Sequence, residues 1–302
     1  MSASTLAVLG PGGVGGFLAA ALHRAGEPVV VVAREQTVEV IKRRGLRVSS
    51  VRLGDFTAAP RAVARLDEEV GVLFVATKAP ALAASLERIG SEPGLVVPLL
   101  NGRDHLGVLR DRFNAPVIAG SIRIEADRPE PGVIVQTSPF LRIDLASDDP
   151  ALSGRVAALA ERLEAAEVPA RAIDSEAQVV WSKLVRLNAL ACTTSAADRP
   201  IGFIRTDPEW RRMLELAVAE GVAVARAEGA RVDSETVMDE LDATHETLGS
   251  SMQRDIAAGR TPELDAIPGA VLRAAARHGI DAPMIEELTR RVAIRAGEPV
   301  PF

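Results

Sequence analysis

The stretch Leu6-Ala7-Val8-Leu9-Gly10-Pro11-Gly12-Gly13-Val14-Gly15 decides the reading of this chain. Four apolar residues run into a glycine-rich turn, and the residues beyond it, to about Ala25, follow a helical apolar pattern. Strand, turn and helix in this order, with glycine at the first, third and sixth turn positions, open a doubly wound α/β domain. Gly10 permits the tight turn, Gly12 lets a pyrophosphate approach the backbone, and Gly15 lets helix pack close on strand. Gly13 and Val14 fall at the helix start, where oriented N–H groups attract an anion. The turn reads as a dinucleotide site, with a purely structural glycine turn as the alternative.

Outward from this turn, short Val-rich runs at 29–32, 70–76, 95–99 and 117–119 alternate with amphipathic helical patterns, as parallel strands buried on both faces do. Around 133–146 two strands follow one another without a helix between them, so the sheet is expected to end in an antiparallel extension. A helix over 152–167 and a last strand over 168–173 complete this half. Beyond Asp174 the strand pattern disappears, and helices punctuated by Pro200, Gly202, Pro208, Gly229, Gly259, Pro268, Gly279 and Pro283 take over. The expected fold is α/β plus all-α: a Rossmann-type doubly wound sheet domain over 1–174 and a helical domain over 175–302.

Composition narrows the function classes. The 302 residues are 47% hydrophobic and 25% charged, within the globular range and long enough for two cores. A net charge of −6, with seven Phe, two Trp and no Tyr, offers neither a basic stripe nor a stacking platform, so nucleic acid is not an expected partner. The single Cys192 cannot form an internal disulfide, which suits the cytoplasm. Residues 6–22 imitate a signal peptide but have no basic residue before them and are rich in glycine, so neither secretion nor membrane association is expected. His23, His105, His245 and His278 show no metal-like spacing, although His105, four residues after Asn101, could line a site.

Several residues could carry chemistry. The second strand ends in Val32-Ala33-Arg34, where an NAD site would place an acid; Arg34 suits the 2′-phosphate of NADP(H), with the adjacent Glu35 as a ribose-binding alternative. Lys78 and Asn101-Gly102 follow the runs at 70–76 and 95–99, at the carboxyl edge where open sheets bind ligands; each also reads as ordinary loop or turn. Trp181-Ser182-Lys183-Leu184-Val185 sets a lysine in an apolar helix, where lost hydration draws an ammonium towards the working range of a general acid, unless it snorkels to the surface. Ser250-Ser251-Met252 and Glu263-Leu264-Asp265 bring a hydroxyl and carboxylates to neighbouring elements.

The glycine turn, Lys78, Asn101-Gly102, Trp181-Ser182-Lys183-Leu184, Ser251-Met252 with Asp255, and Glu263-Leu264-Asp265 stand in the order and approximate spacing of ketopantoate reductases, which the whole chain resembles. The resemblance implies NADPH-dependent reduction of a 2-oxo acid, with pantothenate biosynthesis as the family's setting. It casts Lys183 as proton donor, Asn101 and Lys78 as holding cofactor and substrate, and Ser251 as binding substrate. Glu263 would contact the cofactor ribose or the lysine. It implies no metal, and the long helical half is compatible with a homodimer.

The chain also departs from that family. Many members carry Asn four and eight residues after the lysine, where this chain has Leu187 and Ala191; a further family Asn near Pro200-Ile201-Gly202 is absent as well. Asn188, five residues on, lies about 140° around the helix from Lys183 and is not a simple replacement. Arg186 reads first as an exposed helical arginine and second as a receiver of a substrate carboxylate. The expected activity is therefore reduction of ketopantoate or, given Leu187 and Ala191, of a different oxo acid. A non-catalytic NADPH sensor is the competing class.

Overall fold

The computed structural model describes residues 4–301, which divide into two compact units. One holds the chain up to Leu100 together with His105–Val179, and the other holds Asn101–Asp104 together with Val180 onward.

In the first unit, β1 (Leu6–Leu9) leads into α1 (Gly13–Arg24), β2 (Val29–Val32) and α2 (Glu35–Arg44). Then come β3 (Leu46–Ser50), β4 (Phe56–Ala58), β5 (Arg61–Val63), β6 (Val72–Val75), the short α3 (Leu82–Leu86), β7 (Val96–Pro98) and α4 (His105–Arg112). The unit continues through β8 (Ala119–Arg123), β9 (Ala126–Glu130), β10 (Val133–Gln136), β11 (Arg142–Ala146), α5 (Ser153–Ala165) and β12 (Ala170–Ala172). Its main sheet is parallel throughout, in the order β5-β2-β1-β6-β7. Counting only these strands along the chain, the order is third, second, first, fourth, fifth, which is the doubly wound arrangement. Its direction of winding reverses between β1 and β6, so a ligand crevice is expected beyond their carboxyl ends. The residues there are the glycine turn after β1 and Thr77-Lys78 after β6.

Strands β1, β2, β6 and β7 of this sheet are buried throughout, the edge strand β5 only at Ala62, and the covering helix α1 contributes fully buried Phe17, Leu18 and Leu22. Each such side chain stabilises the fold by about 1.5–3 kcal/mol. The antiparallel region differs from the single extension expected. The runs at 133–136 and 142–146 belong to separate sheets, β4-β3-β10-β9 and β12-β11-β8. Between them Pro139, which has no N–H for a ladder, breaks the strand path, and the Ser138 hydroxyl donates to the Phe140 carbonyl instead. The first of these sheets also packs on α1, so α1 touches strands of both the parallel and the mixed sheet.

The second unit contains α6 from Val180 on (α6 spans Glu176–Ala197), α7 (Ile201–Thr206), α8 (Pro208–Ala227), α9 (Ser234–Asp242), α10 (Ser251–Ala257), α11 (Ala270–His278) and α12 (Pro283–Ala296). Its helix starts are set by short polar side chains. Asp207 accepts from the N–H groups of Glu209 and Trp210, Asp233 from Thr236, and Ser250 from Gln253. Caps of this kind contribute about 1 kcal/mol each. The Glu220 carboxylate accepts from the Met284 and Ile285 N–H groups, both at 2.9 Å, and so satisfies the first turn of α12.

Candidate functional site

The glycine turn in the first unit has the features an anion site requires. Gly10 sits at φ 89°, a left-handed conformation that favours glycine, and its N–H donates to the Val32 carbonyl at 3.0 Å, which ties the turn to the end of β2. Among the described residues no side chain caps α1, and its first turn carries no acid, so its N-terminal N–H groups are not taken by a side chain there. A Cβ on Gly12 would meet nothing within 4 Å, so this side of the turn is open for a ligand. Gly15 packs so closely that a Cβ would lie 2.2 Å from the Gly10 carbonyl oxygen. Val14 turns a partly buried side chain to the core, leaving only its backbone for a ligand.

Gly13 meets a different neighbour, because a Cβ there would lie 2.2 Å from the carbonyl oxygen of Ala126 at the start of β9. Backbone cannot yield as a flexible side chain does. Gly13→Ala is therefore expected to displace β9 or the helix start, to destabilise the protein by about 1–3 kcal/mol and to weaken dinucleotide binding. Thermal melting and a binding titration would check it; an unchanged melt would show that β9 moves away without cost.

Arg34 is exposed, in extended conformation at the N-cap of α2. Glu35, the alternative ribose ligand, is held by Arg88, whose Nη1 donates to Oε1 at 2.9 Å. That hydrogen bond, more than any other influence, keeps the Glu35 carboxyl below its ordinary pKa. Lys78 is exposed and directly precedes a single helical turn at Ala79–Ala81.

In the second unit, three residues far apart in sequence form one chain of hydrogen bonds. Lys183 Nζ donates to Asn101 Oδ1 at 3.0 Å, and Asn101 Nδ2 donates to Glu263 Oε2 at 2.9 Å. An ammonium only donates and a carboxylate only accepts, so these two partners fix which way the Asn101 amide faces. Glu263 is buried, whereas Lys183 and Asn101 are half-buried.

Local backbone explains the juxtaposition. Gly102 has φ 84°, and a Cβ on it would lie 2.1 Å from the Ala266 carbonyl oxygen, so only glycine lets residues 101–104 lie against the segment after Glu263. That segment is a π-helical turn, Asp265–Gly269. Pro268 has no N–H to give the Leu264 carbonyl four residues back, and Gly269 N–H donates to it instead at 2.9 Å. The Asn-Gly pair is thus more than a common turn.

The remaining candidates divide. Ser251 is half-buried at the start of α10, and its hydroxyl has no hydrogen bond among the described residues. The structural work falls to its neighbour Ser250, which sequence reading did not separate from it. Ser250 Oγ accepts from Gln253 N–H at 3.0 Å and from the Thr194 hydroxyl at 3.0 Å, linking α10 to the helix that carries Lys183. Arg186 is not an exposed arginine: its side chain is 18% exposed and lies 3.4 Å from the Glu240 carboxylate.

Asn188 is fully buried and accepts from the Cys192 thiol at 3.5 Å, so it points away from the role of the missing family asparagines. Burial pushes the Cys192 thiol up to about 12, which leaves it inert at neutral pH. Asp255 is buried and paired with Arg260 at 2.8 Å. His105 is buried at the first position of α4. Among the described residues no cluster of His, Cys, Asp or Glu could hold a metal ion, and no helix is long and apolar enough to cross a membrane.

Comparison with known proteins covers both units. Residues 6–147 match the family model described as ketopantoate reductase PanE/ApbA, and residues 177–296 match the model of its C-terminal region. A 2-dehydropantoate 2-reductase of Halobacterium salinarum is 30% identical, over 95% of this chain and 97% of that protein. The uncharacterized oxidoreductase YkpB of Bacillus subtilis is 26% identical, over 92% and 94%. Among solved structures, 2-dehydropantoate 2-reductase from Geobacter metallireducens superposes with a TM-score of 0.87 at 26% identity, covering 96% of this chain and 99% of that one. D-mandelate dehydrogenase with NADH and anilino(oxo)acetate superposes at 0.88 with 20% identity, covering 97% and 98%, which is a likeness of fold.

Proposed function

As this chain belongs to the ketopantoate reductase family, we propose that it is an NADPH-dependent reductase converting the ketone of a small 2-oxo acid to a 2-hydroxy acid. The observation that carries the proposal is the hydrogen-bonded series Lys183, Asn101, Glu263. It supplies an oriented ammonium, held by a neutral amide that is itself held by a buried carboxylate.

The residues of the first unit fit a dinucleotide. The open side of Gly12 and the uncapped start of α1 would take the pyrophosphate, and Arg34 would take the 2′-phosphate. The pairing of Glu35 with Arg88 favours the phosphate-bearing cofactor, because the nearest acid that could have taken the ribose hydroxyls of NADH is already engaged. Lys78, at the carboxyl edge of β6, would add a cation to the same ligand. Bound there, the cofactor would supply hydride to the ketone carbon.

The chain's own part is electrostatic and acidic. The Lys183 ammonium stabilises negative charge as it grows on the carbonyl oxygen, then donates the proton that completes the hydroxyl. Asn101 positions the ammonium from one side, and Glu263 keeps the Asn101 carbonyl turned towards it. Ser251, with an uncommitted hydroxyl, would donate to or accept from the substrate.

Leu187 is half-buried and Ala191 is buried, and both stand where polar residues would serve ketopantoate. A substrate polar group left without a partner against them loses about 1–3 kcal/mol. We therefore expect at least one 2-oxo acid with a less polar side chain to show higher kcat/KM than ketopantoate. The test is a panel of 2-oxo acids, each assayed with NADPH and with NADH. NADH belongs in it because D-mandelate dehydrogenase, of the same fold, is described with that cofactor. Preference for ketopantoate over every analogue would overturn the substrate reading. Tight NADPH binding without turnover of any oxo acid would favour a sensor.

A further inference from the structure

We propose that Arg128 forms, with Arg34, a two-armed receptor for the 2′-phosphate of the cofactor, so that the edge strand β9 takes part in choosing NADPH over NADH. The inference rests on the NADPH reading above and adds a residue from a different element.

Three features of the first unit converge. First, Arg34 follows directly on the end of β2, and the glycine turn is hydrogen-bonded to that same end through Gly10 and Val32. Second, β9 begins against the turn, since the Ala126 carbonyl lies where a Cβ on Gly13 would be. Arg128 is two residues further along that strand. Third, β9 does not run in even register. Asp127 stands opposite Val135 and Glu130 opposite Val133, so β9 uses three steps where β10 uses two. The extra residue falls at Arg128-Pro129. A bulge of this kind re-aims a side chain, and a proline is tolerated there because the ladder is already interrupted.

The charges then show what the place lacks. Neither Arg34 nor Arg128 donates a side-chain hydrogen bond to, or pairs within ion-pair distance of, any carboxylate among the described residues. Elsewhere in this unit Arg47, Arg88, Arg110 and Arg162 all have such partners. Partial burial opposes the Arg128 charge and the Arg34 charge opposes it further, with only the adjacent Asp127 acting in the other sense. Two guanidiniums close enough to oppose each other's charge, on elements that adjoin the dinucleotide turn and neither hydrogen-bonded to a carboxylate among the described residues, are arranged for an anion that neutralises both. Guanidinium forks match phosphate oxygens. A phosphate on the adenosine ribose is the anion that distinguishes the two nicotinamide cofactors.

The test is a binding titration of NADPH and of NADH with the wild type, Arg34→Ala, Arg128→Ala, Arg128→Lys and the double alanine variant. NADH serves as the control for folding, because it needs the same turn but not the phosphate arms. Arg128→Ala is expected to weaken NADPH about tenfold or more while changing NADH less than about twofold, and Arg128→Lys should recover part of the loss. The double variant should bind both cofactors alike. If Arg128→Ala leaves NADPH unchanged, or weakens both cofactors equally, Arg128 is not a phosphate ligand. Should the wild type itself fail to prefer NADPH, the cofactor reading falls together with this one. If the wild type prefers NADPH and Arg34→Ala abolishes that preference but Arg128→Ala does not, only the inference about Arg128 falls.

Discussion

Lys183→Ala is expected to lower kcat/KM with the best oxo acid by at least about 10²-fold, or roughly 2.7 kcal/mol of transition-state stabilisation. It should do so without unfolding the protein. Lys183 is half-buried within the long helix α6, alanine is the best helix former, and the substitution removes the hydrogen bond to Asn101 without touching the apolar residues on either side of it. Cofactor affinity should be unchanged, since the glycine turn and Arg34 remain. Lys183→Arg keeps the charge but replaces a compact ammonium with a broad fork that does not readily give up its proton, and should recover little activity. Steady-state kinetics with a parallel NADPH titration separates the cases. Near-normal turnover by the alanine variant removes Lys183 from the mechanism; lost NADPH binding would show a structural role.

What the sequence discloses and what it hides follow the range of the interactions involved. The opening β1-α1-β2 unit is legible because each of its signals is local: a Val-rich run, glycines at fixed offsets, a helical period. The helical second unit is legible for the same reason. The strands β3, β4 and β5 are not, because Leu46-Arg47-Val48-Ser49-Ser50 has few apolar residues and its partner β10 lies more than eighty residues away in the chain. Strand β9 reads as loop, since Asp127-Arg128-Pro129-Glu130-Pro131-Gly132 has turn chemistry throughout. Arg128 was invisible for that reason. The two adjacent serines at 250 and 251 illustrate a finer limit, because either could cap a helix and only the backbone shows that Ser250 does so.

Asn101 is the residue for which structure adds most, since its sequence context is equally that of a turn. Its amide links the acid candidate to a buried carboxylate, so Asn101→Ala is expected to act on kcat more than on KM, lowering kcat/KM by about 10–10²-fold. The change deletes an acceptor that holds Lys183 and a donor to Glu263, a carboxylate that is only 5% exposed. Losing a donor at a buried charged group costs about 1–3 kcal/mol, so the melting temperature should also fall.

Glu263→Gln distinguishes positioning from chemistry. A glutamine can still accept from Asn101 Nδ2, but it can equally donate to Asn101 Oδ1, so the Asn101 amide loses its fixed orientation and faces Lys183 with the wrong group part of the time. Because Glu263 acts through Asn101, its loss should cost less than that of Lys183, and Glu263→Gln should retain more activity than Glu263→Ala. If Glu263→Gln is as damaging as Lys183→Ala, Glu263 contacts the reacting groups directly. If Asn101→Ala leaves kcat unchanged, the hydrogen-bonded series holds the second unit together without serving the reaction.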